Sequence, residues 1–241
     1  MYIGTKKGRR SGIKLLEVKN ITKLYNKLEG IQDISLKLEH RQIYALIGPN
    51  GAGKTTFVRI LAGLLNPSEG EVLLNGEPTI WKECKKNIGF ALELEEGYPK
   101  KTILEMFDFI CEIKYCGKYG DDIKKILCDF ELWESRSKLI QDCSFGMKKK
   151  VQIGISFLGS PELILLDEPT NGVDTNGILM LKQYIMKEKN AGKIIVITSH
   201  VLDFVESLAD NIIFLNGGKV VKVMKNSGNL EGEYRDIFLK S

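Results

Sequence analysis

No apolar run in this sequence approaches the roughly twenty residues that a helix needs to cross a bilayer. The longest, LILL at 163–166 and IIVI at 194–197, fall far short. The opening MYIGTKKGRRSG is basic but has no apolar stretch of the kind a signal peptide carries, so residues 1–13 read as a tail with no function of their own. Cysteine is scarce: Cys84, Cys111, Cys116, Cys128 and Cys143 are five, an odd number without a C-x-x-C pair. That pattern speaks against both a disulfide framework and a zinc site, and for a reducing compartment. An excess of one charge is also missing, because 35 Lys and Arg against 31 Asp and Glu leave only +4, too little to indicate nucleic acid. Internal repeats and low-complexity linkers are absent. What remains, 241 residues at 43% hydrophobic, suits one globular domain over residues 14–241 with an inserted subdomain.

The first third is β-rich. IQDISLKLE (31–39) and QIYALIG (42–48) read as strands, and EVLLNGEP (71–78) carries the Asn75-Gly76 pair of a tight hairpin. After residue 53, Val58, Leu61, Ala62 and Leu65 recur at helical spacing, until Pro67 and Gly70 stop the segment. Residues 102–132 are expected to be helical, with Ile103, Met106, Phe107 and Ile110 in one stripe. The last third alternates short apolar strands, ELILLD (162–167), KIIVITS (193–199) and NIIFLN (211–216), with helices. Strands apolar on both faces and separated by helices predict a mostly parallel sheet covered on both sides. Residues of about 94–158 interrupt that alternation and are expected to form an inserted α-helical subdomain.

GPNGAGKTT, residues 48–56, fits G-x-x-x-x-G-K-[ST] with Gly48, Gly53, Lys54 and Thr55 at the fixed positions. Glycines let the backbone curl so that successive N–H groups face a phosphate, Lys54 adds a positive point charge, and the Thr55 hydroxyl suits Mg²⁺. A strand precedes this segment and an amphipathic helix follows, as the motif requires. LILLDEP (163–169) is an apolar strand ending in Asp167 and Glu168. Asp167 is placed to hold Mg²⁺, and Glu168 to polarise a water attacking a γ-phosphate. Two such acids could instead cap a helix, but carboxylates next to four apolar residues are costly without a task. His200 ends the next apolar strand, and ligands gather at that edge of a parallel sheet. A lone histidine there could also be a packing or capping residue.

Taken together these segments resemble the nucleotide-binding subunit of ATP-binding cassette (ABC) transporters, from about Lys14 onward. GPNGAGKTT is similar to that family's Walker A motif, including Asn50, Gly51 and Thr56, and LILLDEP to Walker B with its catalytic glutamate. NGVD, ending in Asp174, is similar to the D-loop, and His200 to the switch histidine. Tyr25 stands where the family places an aromatic against adenine; on its own it is an ordinary strand-end aromatic. CSFGMKKK (143–150) takes the place of the LSGGQ signature: Ser144 and Gly146 match, whereas Cys143, Phe145 and Met147 depart. The resemblance implies that Ser144 and Gly146 meet the γ-phosphate of ATP on a second subunit, in a homodimer or a heterodimer. Met147, Val151, Ile155 and Leu158 are expected to form the buried stripe of the following helix, leaving Lys148, Lys149 and Lys150 largely outward.

IGFALELEEGYP (88–99) replaces the family's Q-loop segment and puts Glu93 where glutamine usually contacts Mg²⁺, with Glu95 or Glu96 as candidates in a shifted register. Some exporters of antimicrobial peptides resemble the chain in carrying glutamate there. The resemblance implies the α/β fold of a P-loop NTPase, with a mostly parallel core sheet, an N-terminal antiparallel β subdomain and an inserted α-helical subdomain. It also implies ATP and Mg²⁺ as cofactors and ATP hydrolysis driving transport, in the exporter direction, through separate membrane-spanning permease subunits. The expected location is the cytoplasmic face of the cell membrane. A non-transport ABC ATPase of DNA repair or translation is the alternative, and a P-loop kinase would have no use for Ser144 and Gly146 before a helix.

Overall fold

The computed structural model describes residues 13–25, 29–78, 85–91, 100–115 and 119–239. Most of the tail, Cys84, Cys116 and the candidate Q-loop residues Glu93, Glu95 and Glu96 lie outside them. Two sheets organise the described chain. β1 (Leu15–Leu24), β2 (Gly30–Glu39), β4 (Glu69–Leu74) and β5 (Glu77–Pro78) form an antiparallel sheet in the order β2-β1-β4-β5. β3 (Gln42–Ile47), β6 (Ile88–Phe90), β7 (Leu163–Asp167), β8 (Ile194–Thr198), β9 (Asn211–Asn216) and β10 (Lys219–Lys225) form the second, in the order β10-β9-β3-β8-β7-β6. All of its pairings are parallel except β9 with β10. The Asn75-Gly76 turn joins β4 to β5 with both residues at positive φ, 53° and 85°, the twist that suits a two-residue hairpin.

The helices are α1 (Lys54–Leu61), α2 (Ile103–Tyr115), α3 (Gly120–Asp129), α4 (Phe145–Phe157), α5 (Thr175–Asn190), α6 (Leu202–Glu206) and α7 (Leu230–Phe238). Side chains alternate across a strand, and here the alternation divides the core in two. Ile43, Ala45, Ile47, Ile164, Leu166, Ile195 and Ile197 face a cluster completed by α2 to α7. Their neighbours Tyr44, Leu46, Leu163, Leu165, Ile194 and Val196 face α1 and the antiparallel sheet. The parallel sheet is therefore covered on both sides as predicted, by helices on one and largely by a second sheet on the other. The described part of the helical segment, 100–115 and 119–157, shares its buried residues with the sheet face it covers.

Three elements escape the sequence pattern. β1 is interrupted by register shifts between Val18 and Ile21 and between Ile21 and Lys23, with Asn20 at φ 50°, and its apolar alternation is lost there. β10 is a largely exposed strand, and α7 is a short amphipathic helix that buries only Leu230. The single helical stretch expected over 102–132 is two helices, α3 having its own start at Tyr119. Thr102 opens α2 with a capping box: its N–H donates to Glu105 Oε2 at 2.7 Å while its hydroxyl accepts from the Glu105 N–H at 3.2 Å.

β6 lies against α4 so closely that a Cβ built on Gly89 would stand 1.9 Å from the Ser156 carbonyl oxygen. The other near atom is Pro161 Cγ at 2.6 Å, part of a ring and not a flexible side chain that could yield. Gly89→Ala is expected to destabilise the chain by about 3 kcal/mol, the upper end of overpacking costs, read as a lower urea midpoint at unchanged m-value.

Candidate active site

The loop between β3 and α1 is built on glycines that sterics require. Gly48 begins it, and a Cβ there would stand 2.1 Å from the Leu215 carbonyl oxygen at the end of β9. Gly53 ends it at φ 100°, with its missing Cβ only 2.5 Å from Ile31 Cγ2. Lys54 is 8% exposed, and its ammonium donates to the carbonyls of Gly48 and Pro49 at 2.8 and 3.1 Å. The cation thus lies folded against the loop it must serve.

A cavity of about 360 Å³ opens on this loop. It is lined by Tyr25, Glu29, Asn50, Gly51 and the stretch Gly53 to Thr56, with Glu168 on its wall. The structure thereby gathers in one place residues that the sequence offered from three separate segments. Tyr25 is 56% exposed at the end of β1, an open aromatic face rather than a core residue. Glu29 carries no sequence signal; it arrives because the Tyr25 N–H donates to the Glu29 carbonyl across the β1–β2 connection at 2.9 Å.

Parallel pairing brings the carboxyl ends of β7 and β8 level, with Asp167 opposite Thr198. The Thr198 hydroxyl donates to Asp167 Oδ1 and accepts from the Glu168 N–H at 2.9 Å. Thr198 is fully buried and holds the Asp167 carboxylate and the Glu168 main chain, a role that nothing in IIVITSH distinguishes from an ordinary strand residue. Glu168 is held at φ 44°, a left-handed conformation that costs a residue with a side chain free energy. Its Oε2 lies 2.8 Å from His200 Nδ1 and 3.3 Å from the His200 N–H. The acid and the histidine predicted from different strands are thus in direct contact, with the imidazole 61% exposed.

Ser144 is the N-cap of α4, its hydroxyl accepting from the Met147 N–H at 3.2 Å, a contact worth about 1 kcal/mol in helix caps. Both Ser144 and Phe145 are exposed, Phe145 at 69%. Gly146 is required by a neighbour, since a Cβ there would lie 2.8 Å from the Gly172 carbonyl oxygen. Val151, Ile155 and Leu158 are buried as expected, with Met147 partly buried against the same cluster.

The outward placement of the three lysines fails at Lys150, which is 7% exposed. Its ammonium sits 2.8 Å from Asp174 Oδ2 and 3.2 Å from Glu131 Oε2. Lys149 is half-buried and donates to the Asp167 carbonyl at 3.3 Å. Asp174 in turn caps α5, accepting from the Gly177 N–H at 2.7 Å. Hydrogen bonds from Lys150 and from Gly177 hold its carboxyl below the ordinary 3.8. Burial works against the charge of Lys150, but its hydrogen bonds with Asp174 and Glu131 outweigh that and raise its pKa. Asp174 lies outside the set of residues lining the cavity, as do Ser144 and Gly146.

The family model described as ABC transporter matches residues 31–171. The lantibiotic transport ATP-binding protein SrtF of Streptococcus pyogenes is 34% identical over 227 residues, covering 93% of this chain and 98% of that protein. The SkfA peptide export ATP-binding protein SkfE of Bacillus subtilis is 30% identical over 214 residues, 87% of this chain and 89% of that one. The solved dimeric structure of a bacterial ABC transporter cassette superposes with a TM-score of 0.78 at 25% identity, covering 87% of this chain and 98% of that one.

Thr198→Val keeps the shape of the side chain and removes the hydroxyl that Asp167 and Glu168 share. It is expected to destabilise the chain by about 1–3 kcal/mol, the cost of stranding buried polar groups, measured as a shift in the urea midpoint.

Proposed function

The chain belongs to the ABC transporter family, and on that premise we propose that it is the ATP-hydrolysing subunit driving export of a peptide through separate membrane-spanning permease subunits. The cavity that joins Tyr25, the glycine-built loop and Glu168 carries the reading of the nucleotide site. Its dimensions and lining fit a nucleoside triphosphate: an exposed aromatic ring for the base at one side, N–H groups and Lys54 for the phosphates, and a carboxylate beyond them. Peptide export is supported by the similarity to SkfE, a peptide export ATP-binding protein. Neither relative favours the alternative in DNA repair or translation.

Each residue has a task in this reading. The N–H groups of Asn50, Gly51, Gly53, Lys54, Thr55 and Thr56 hold the phosphate oxygens at the positive end of α1. Lys54 leaves the Gly48 and Pro49 carbonyls for the β- and γ-phosphates, exchanging neutral acceptors for charged ones. Glu168 accepts a proton from the attacking water, and His200, already in contact with it, holds that water toward the γ-phosphate. Thr55 and Asp167 offer the hard oxygen ligands that Mg²⁺ takes beside phosphate oxygens, and Glu93 is assigned to the same ion from sequence alone. Bound there, Mg²⁺ would neutralise charge on the transferred phosphoryl group.

Ser144 and Gly146 stand away from the chain's own cavity and are exposed enough for a second subunit's γ-phosphate to reach them. Asp174 completes that facing surface. ATP then joins two subunits, and loss of the γ-phosphate releases them. Among the described residues no helix is long and apolar enough to cross a membrane. In this reading the subunit is peripheral at the cytoplasmic face and docks on a permease through the helical region of about 94–135.

Glu168→Gln should lower ATP turnover by about 10²–10⁴-fold, the usual contribution of a general base, and leave nucleotide affinity unchanged. Light scattering should show a dimer that persists in ATP. Wild-type turnover in this variant would remove Glu168 from its role.

A further inference from the structure

Lys150 stands on the second turn of α4, a helix whose first turn offers it no acidic partner. It is nonetheless buried, which a lysine tolerates only with its charge matched. The match comes from two distant segments. Glu131 lies in the turn after α3, itself at φ 59°, and Asp174 ends the loop that runs from Glu168 to α5. Close to the ion pairs, a backbone contact joins the same parts: Gly146 abuts the Gly172 carbonyl oxygen at a distance that admits no Cβ. A Cβ on Gly177 would meet Lys150 Cε at 3.0 Å, so the lysine stem is packed as well as its head. Lys149 adds a tie from α4 to the Asp167 carbonyl.

We propose that Lys150 is a positioning residue that fastens the Ser144–Gly146 turn to the Asn171–Asp174 loop, so that the two form one rigid surface toward the second subunit's nucleotide. The inference rests on the reading of that turn as the γ-phosphate contact made across the dimer. Glu131 brings the helical segment into the same fastening. A γ-phosphate pulling on the turn therefore pulls on the loop that follows Glu168, and the site on one subunit responds to ATP seated on the other. Without the ammonium, Glu131 and Asp174, both more than half exposed, return to water, and the Asp174 carboxylate keeps only its α5 cap.

The test uses the full chain in the Glu168→Gln background, with ATP-dependent dimerisation followed by light scattering and nucleotide binding followed by a fluorescent ATP analogue. Lys150→Met should raise the ATP concentration for half-maximal dimer about tenfold and change the analogue's affinity by less than about twofold. Lys150→Arg should restore most of the loss. Glu131→Gln should raise the ATP requirement about threefold alone and add nothing in the Lys150→Met background, as coupled partners do. A purely structural lysine would lower the melting temperature and leave the ATP requirement of the folded protein as it was, and that result overturns the proposal. Should Lys150→Met fail to fold, Glu131→Gln carries the test, and an unchanged ATP requirement in it is equally fatal. Glu168→Gln alone binding ATP yet forming no dimer would take down the trans reading and the fastening with it, whereas a parent dimer indifferent to Lys150 removes the fastening only.

Discussion

Parallel hydrogen bonding among β3, β8 and β7 is the constraint on which the site depends. Leu46 and Asp167 both pair with Thr198, so three strands end at one level and deliver the glycine-built loop, the acid pair and the histidine to one edge. Period-two alternation then sends successive residues of those strands to two different cores, and a slip by one residue would drive every side chain into the core packed for its neighbour. The register is fixed by burial, and the chemistry inherits its precision from that.

The parts of this arrangement that were legible in the sequence are those whose function is local. Gly48, Gly53 and Lys54 act within one turn of chain, and the composition of that turn states its task. The strands ELILLD, KIIVITS and NIIFLN were legible because burial on both faces leaves an uninterrupted apolar run. β1 was not, because its register shifts break the alternation on which such a reading relies. Lys150 was misread for a different reason. Its burial is decided by Glu131 and Asp174, 19 and 24 positions away, and helical periodicity carries no information about either. Thr198 is similar: the register partner of Asp167 becomes visible only when the two strands lie side by side.

The departures from the family's signature acquire a local logic. Phe145 occupies a glycine position of LSGGQ and lays its ring over Gly172, where a Cβ would stand 2.2 Å from Phe145 Cε1. Gly146 keeps the second glycine because the same loop touches its backbone. A bulky residue and a bare one thus share the task of seating one loop, and the exposed face of the phenyl ring remains toward solvent.

Glu168 joins its chemistry to an uncomfortable backbone. At φ 44° the position would suit glycine or asparagine better than glutamate. Relaxing it with glycine or asparagine would firm the loop while deleting the carboxylate proposed as proton acceptor, so on that proposal resistance to unfolding and speed of turnover pull this residue in opposite directions. The segment most needed for work is also the one least content to stay folded as it is.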